Sequence, residues 1–262
     1  MSALIANITA FFAEKGIPSE MLIKLWDNGV LQKGIWETVY MTVLSALFAY
    51  LIGLPLGMIL AVTDEGGIRP VRWFNGLLGV VINFFRSIPC IILMVAMIPV
   101  ARLIVHTSLG NAAVIVTLII AAAPYVARMV ESSIKEVNAG IIEAAQAMGC
   151  TNTQIVLHVL LPEAKPALIQ GAVISTVTIF GYTALAATLG GTGLGQIAII
   201  YGHQRSNGDI TWLCVVLMVV IVQLIQLGAG EGDVPCGTFF RKALFIDHTQ
   251  FFLSVIRRSD AR

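Results

Sequence analysis

From Thr38 to Val62 the chain carries no Asp, Glu, Lys or Arg. That uncharged run constrains the fold more than any other feature. A bilayer core about 30 Å thick is crossed by roughly 20 mostly apolar residues in a helix, so residues 38–62 read as a transmembrane span, with Pro55 a kink near its inner end. Three more runs qualify: Asn111 to Ala127 with Pro124 near its end, Ala167 to Thr188, and Ile210 to Leu227. Of the 262 residues 57% are hydrophobic and 12% charged, against about 25% charged in an ordinary soluble domain. A soluble enzyme is excluded. The net charge of +1 gives no basic surface for nucleic acid, and the four cysteines fall in no zinc-ligand spacing.

The stretch Val71 to Val105 is harder to divide. As one helix it would be about 50 Å long, too long for one crossing and short for two with a turn between. Arg86 would lie near its centre, where charge is costly, and Pro89 disfavours an unbroken helix. The sequence therefore predicts an interfacial helix over Val71 to Phe85 and a crossing over 89–105. The expected fold is all-α, polytopic, with five transmembrane helices at about 38–62, 89–105, 111–127, 167–188 and 210–227.

Basic residues set the orientation. Arg69, Arg72, Arg86, Arg128, Lys135, Lys165 and the C-terminal basic residues fall on one side; Arg102, Arg205 and the N-terminal lysines Lys15, Lys24 and Lys33 fall on the other. The first side is expected to be cytoplasmic and the N-terminus outside. Residues 1–36 form an outer N-terminal arm without a basic start ahead of its apolar patches, so no signal-peptide cleavage is expected. Within it, Trp26 to Trp36 reads as an outer interfacial helix. From Gly228 the composition changes abruptly, and residues 228–262 form an atypical tail.

The longest polar interruption, residues 128–166, is patterned. VNAGIIEAAQAMG has helical apolar spacing at Ile141, Ala145 and Met148 and ends on Gly149, a residue suited to the left-handed close of a helix. Thr151 and Gln154 then form the T-x-x-Q of a capping box. They open a second helix with Ile155, Val156, Val159 and Leu160 on its apolar side, which Pro162 terminates or bends. Periodicity alone fits two amphipathic helices resting on lipid equally well. The residues point further: EAA, three residues, Gly, nine residues, then an aliphatic, any residue and Leu-Pro is the pattern of Glu143, Ala144, Ala145, Gly149, Val159, Leu161 and Pro162. It resembles the coupling loop of ABC importer membrane subunits.

The resemblance extends over roughly Ile35 to Leu227. WETVYMTVLSALFAYLIGLPLG, FRSIPCIIL, MIPVARLIVHTSLG, AAPYVARMVE, EAAQAMG, IVLHVLLPEA and GGTGLGQIA are similar, in order and spacing, to the methionine-import permease family. The resemblance implies a homodimer in the bacterial inner membrane, two cytoplasmic ABC ATPase subunits and an extracytoplasmic methionine-binding lipoprotein. The chain has no G-x-x-x-x-G-K-S/T phosphate loop, so it is expected to bind no cofactor itself, with ATP and Mg on the partner ATPase. Tail and N-terminal arm lie outside the matching core. The tail fits a lineage-specific extension or a shifted reading frame.

By the same resemblance, the helix ending at Gly149 enters a cleft of the ATPase, with Glu143 placed for a charge-assisted bond or simply solvated. Tyr182 and Leu185 are expected to line the gate, and as plain packing residues they fit equally well. Tyr125, beside Pro124, joins them as a pathway candidate. The small residues of FGYTALAATLGGTGLG suit a dimer axis, and the glycine cluster reads as a turn or re-entrant segment on the outer side. An ABC permease for another amino acid, or an ion-coupled carrier, remains an alternative. Carriers generally keep ionisable groups in their spans, and none of the five cores holds Asp or Glu. The four histidines are scattered, which leaves no basis for an intramembrane enzyme.

Overall fold

The computed structural model describes Leu25 and residues 27–229; residues 230–262 of the expected 228–262 tail and most of the N-terminal arm, including Trp26, lie outside the described residues. Among the described residues every regular element is helical. The first long helix, α1 (Val30–Thr63), follows Gly29, which takes a left-handed φ of 69°. It does not begin at Thr38: residues 30–36, expected to lie in a separate interfacial helix, are continuous with the span. At 34 residues and 1.5 Å per residue α1 is about 51 Å long, so it outreaches a bilayer core. Pro55 lies inside it without ending it.

After a short turn comes α2 (Arg72–Ser87), with Ile82 its one buried residue. The Asn75 amide donates to the Leu60 carbonyl (2.7 Å) and to the Thr63 hydroxyl (3.0 Å), tying α2 to the last turn of α1. At Ile88 and Pro89 the chain bends by 102° into α3 (Cys90–Ala96). The expected 89–105 crossing is not one helix, because a second break at Met97 separates α3 from α4 (Ile98–Val105). Pro99 explains it: its nitrogen has no proton for the Val95 carbonyl, and its ring crowds that carbonyl. Among the described residues four helices are long and apolar enough to cross a membrane, and a fifth crossing arises if the bent pair α2 and α3 counts as one span.

The next helix, α5 (Asn111–Lys135), runs eight residues past the expected boundary at Ala127, through Pro124 and on to Lys135. Its charges do not end it because they pair along it. Helix α6 (Ala139–Ala147) is the first arm of the patterned loop. Helix α7 (Asn152–Thr183) merges the loop's second arm with the fourth span, so Pro162 neither terminates nor separates them. Over Ile155–Leu160 the helix widens to π geometry, and the Leu161 N–H donates to Val156, five residues back. A π turn directly ahead of Pro162 accommodates a ring that a regular turn would press against the His158 carbonyl. The residues Ala184–Leu189 tighten to a 3-10 turn. Then come α8 (Leu194–Ile197), prolonged as a π turn to His203, and α9 (Gly208–Ala229).

The bundle is organised around α1 and α5. Gly53 and Gly57, spaced as G-x-x-x-G, let the two backbones meet: a Cβ at Gly57 would stand 2.4 Å from the Ala127 carbonyl oxygen, and one at Gly53 would stand 2.7 Å from Val126. Without water to drive association, such close van der Waals approach is what holds membrane helices together. Ala49, Ala122, Val126, Val130, Leu160 and Ile179 complete the core where α1, α5 and α7 converge. At the opposite end, Asn111 exchanges hydrogen bonds with Thr192 in the glycine turn (2.7 Å each way).

Candidate functional site

Helix α6 and the start of α7 form an elbow projecting from one end of the bundle. Asn138 caps α6 by accepting from the Gly140 N–H (2.9 Å), which satisfies one of the unpaired donors at a helix start. Gly149 closes α6 with φ 80°, and a Cβ there would meet nothing within 4 Å. Space is not the reason for glycine; the left-handed backbone is. The expected capping box is present, with the Thr151 N–H donating to the Gln154 side chain at 2.8 Å. Thus helix, tight turn and helix are fixed by local hydrogen bonds before any partner arrives.

The elbow's faces are set by the bundle. Ala145 is buried, and Ile142 packs partly against the α1–α5–α7 core. Glu143, Ala144 and Gly149 are exposed. Ile141 and Met148, expected to share an apolar side with Ala145, instead face outward, Met148 at 76% exposure. The outer surface therefore carries an acid between two apolar side chains, and Glu143 has no ion-pair partner among the described residues. Val159 is half-buried in the π turn, Leu161 is half-buried, and Pro162 is exposed at the start of the regular part of α7.

The pathway candidates lie deeper. Tyr125 on α5 and Tyr182 at the end of α7 are half-buried and within electrostatic range of each other, and Tyr50 on α1 is within range of Tyr125. Leu185 sits in the 3-10 turn just beyond Tyr182. The structure thus groups three tyrosines from α1, α5 and α7, of which Tyr50 was not singled out from sequence. The glycine cluster is a turn: Gly190 has φ 70° and Gly193 φ 131°. It leads into a buried helical segment that packs on the beginning of α1 through Gly34 and Ile197.

A second group went unrecognised in the sequence. Glu131 on α5 has only 5% of its side chain exposed and pairs with Arg128 and, at 2.9 Å, with Lys135. Lys135 also reaches Asp64, just past the end of α1, at 2.8 Å. Arg128 donates to the side-chain amide oxygen (Oδ1) of Asn83 on α2 at 3.2 and 3.3 Å. The Lys135 ammonium beside Asp64 donates a hydrogen bond that holds its carboxyl below the usual carboxylate range. The signal available in sequence was the spacing of Arg128, Glu131 and Lys135, three and four residues apart on one helix face.

Comparison with known proteins agrees with this architecture. The sequence profile described as "Binding-protein-dependent transport system inner membrane component" matches residues 53–228. The probable D-methionine transport system permease protein MetI of Vibrio cholerae is 44% identical over 200 residues, covering 76% of this chain and 89% of that protein. The methionine import system permease protein MetP of Bacillus subtilis is 39% identical over 82% of this chain and 94% of its own. A chain from the inward-facing MetNI methionine ABC transporter superposes with a TM-score of 0.75 at 46% identity, covering 76% of this chain and 93% of that one. An amino acid ABC transporter with histidines shares the fold at 18% identity and a TM-score of 0.61. The chain belongs to the binding-protein-dependent transport system inner membrane components, the non-catalytic membrane permease subunits of ABC importers.

Proposed function

We propose that this permease carries methionine, in its D form, its L form or both, from an extracytoplasmic binding lipoprotein into the cytoplasm. It does so as a homodimer associated with two ABC ATPase subunits that hold ATP and Mg. The elbow carries the reading: a locally rigid helix–turn–helix, with Ile141, Glu143, Ala144 and Met148 turned outward, leads without interruption into a membrane-length helix. Such an element transfers a push. In this reading α6 sits in a cleft of the ATPase, closure of two ATPases on ATP draws the paired elbows together, and the bundles turn from inward-open to outward-open. Gly149 keeps the elbow tight, and Glu143 meets a basic ATPase group through a charge-assisted bond. The elbow end is cytoplasmic, the N-terminus outside and the C-terminus inside, as the distribution of basic residues favours. Tyr125, Tyr182 and Leu185 border the path.

Methionine is supported by the names of the relatives; the related permeases make it the first substrate to test. Proteoliposomes holding the permease, its ATPase and the binding protein should accumulate methionine only with ATP inside. Accumulation driven by an ion gradient without the ATPase would overturn the reading in favour of a carrier. ATP-dependent uptake of a different amino acid, with methionine ignored, would overturn the substrate alone.

A further inference from the structure

We propose that Asp64, Arg128, Glu131 and Lys135 are positioning residues for transport: they lock the elbow end of α5 to α1 and α2, so that a displacement of α6 moves the three helices as one body. The inference rests on the coupling role just assigned to the elbow. Its geometry is independent of that role. Lys135 is the last residue of α5, three residues before the Asn138 cap of α6. Its ammonium touches Glu131 within α5 and Asp64 at the end of α1, and Arg128 extends the same group to Asn83 of α2. Two acids and two bases are involved, so the group is neutral.

Physical cost argues for a purpose beyond holding the helices together. Glu131 is almost wholly enclosed, and enclosing a carboxylate is unfavourable unless its partners are well placed. Gly53 and Gly57 already press α1 onto α5, so the ion pairs are not needed to bring these helices into contact. Those glycine contacts end at Val130, more than a helical turn short of Lys135, so they leave the end of α5 nearest α6 unfixed. Charge-assisted bonds fix one register. They stand where a push from α6 first enters the bundle.

The test uses the assembled permease–ATPase complex with its binding protein in proteoliposomes, and reads methionine accumulated per ATP hydrolysed. Lys135→Met and Asp64→Asn should each lower that ratio by roughly fivefold or more, the scale of a coupling free energy, while ATP hydrolysis continues. Lys135→Arg and Asp64→Glu, which preserve the charges, should each keep most of it. A purely structural role would lower the yield of assembled complex and leave the ratio of the surviving complexes unchanged; that result overturns the proposal. If a variant does not assemble, Asn83→Ala, which removes only an exposed acceptor, should still lower the ratio, and an unchanged ratio counts against the lock. Failure of the wild-type complex to import methionine with ATP would instead strike the proposed function, so the two failures are distinguishable.

Discussion

The backbone N–H of Leu194 donates to the hydroxyl of Thr38 at 2.9 Å, across 156 positions of sequence, while that hydroxyl donates to the Gly34 carbonyl at 2.8 Å. One buried side chain thereby satisfies the first turn of the helix that follows the glycine turn and pins it to α1. Substituting Thr38→Val keeps the shape and removes the acceptor, leaving a buried N–H unpaired at a cost of about 1–3 kcal/mol. The purified variant should unfold at a clearly lower temperature than wild type, and Thr38→Ser should restore most of the loss. Equal melting of Thr38→Val and wild type would show that the hydroxyl is dispensable.

Two glycines with opposite surroundings give a matched comparison. Gly57→Ala places a methyl against the Ala127 carbonyl and Val130, whereas at Gly76 on α2 a Cβ meets nothing within 4 Å. Overpacking typically costs about 1–3 kcal/mol, and replacing an exposed helical glycine by alanine gains up to about 1 kcal/mol. Thermal unfolding in detergent should therefore move in opposite directions for the two variants.

At the elbow the demand is conformational. Gly149→Asn keeps a residue that tolerates left-handed backbone, while Gly149→Val introduces a β-branched side chain at φ 80° and strains the turn by about 1–3 kcal/mol. ATP-dependent uptake should survive the first and collapse in the second, with both proteins still recovered from the membrane. Uptake equal in both would remove the turn from the mechanism.

Acid should loosen the contact between α1 and α5. Asp64 has its carboxyl lowered from 3.8 by the hydrogen bond from Lys135, so folding binds the deprotonated form preferentially. The resulting stabilisation is complete above the unfolded value and is lost as pH falls through the lowered folded value. Melting temperature measured from about pH 5 downward should drop more steeply in wild type than in Asp64→Asn, whose amide does not titrate. Parallel curves would contradict the pairing.

Much of this was legible in short sequence patterns. Pro89 announced the bend after α2, Thr151 and Gln154 announced a helix start, and Gly149 announced a helix end, because each acts through its own backbone or its nearest neighbours. What escaped depends on partners far away. Nothing within Arg128–Lys135 reveals that Asp64 and Asn83 will receive its charges, so the helix looked finished at Ala127. Pro162 signalled an end or a bend, since its ring excludes a regular turn; the wider turn over Ile155–Leu160 lets the helix pass. A nine-residue helix and its C-terminal cap, with Ile141, Ile142 and Met148, offer two apolar stripes, and only packing on Leu160 and its neighbours decides that Ile142 turns inward. Tyr125 and Tyr182 stood out singly in the sequence, and their proximity to each other and to Tyr50 did not, because residues on three separate helices share no local pattern.

The unbroken course of α7 has a mechanical consequence. Its 32 residues form a lever about 48 Å long, with the elbow formed with α6 at one end and Tyr182 near the other. A tilt of about 5° around the elbow sweeps the far tip by about 4 Å, comparable to the girth of an amino-acid side chain. In the proposed mechanism the stroke passes through the π turn over Ile155–Leu160, and whatever that turn does not absorb reaches the tyrosines with its amplitude enlarged.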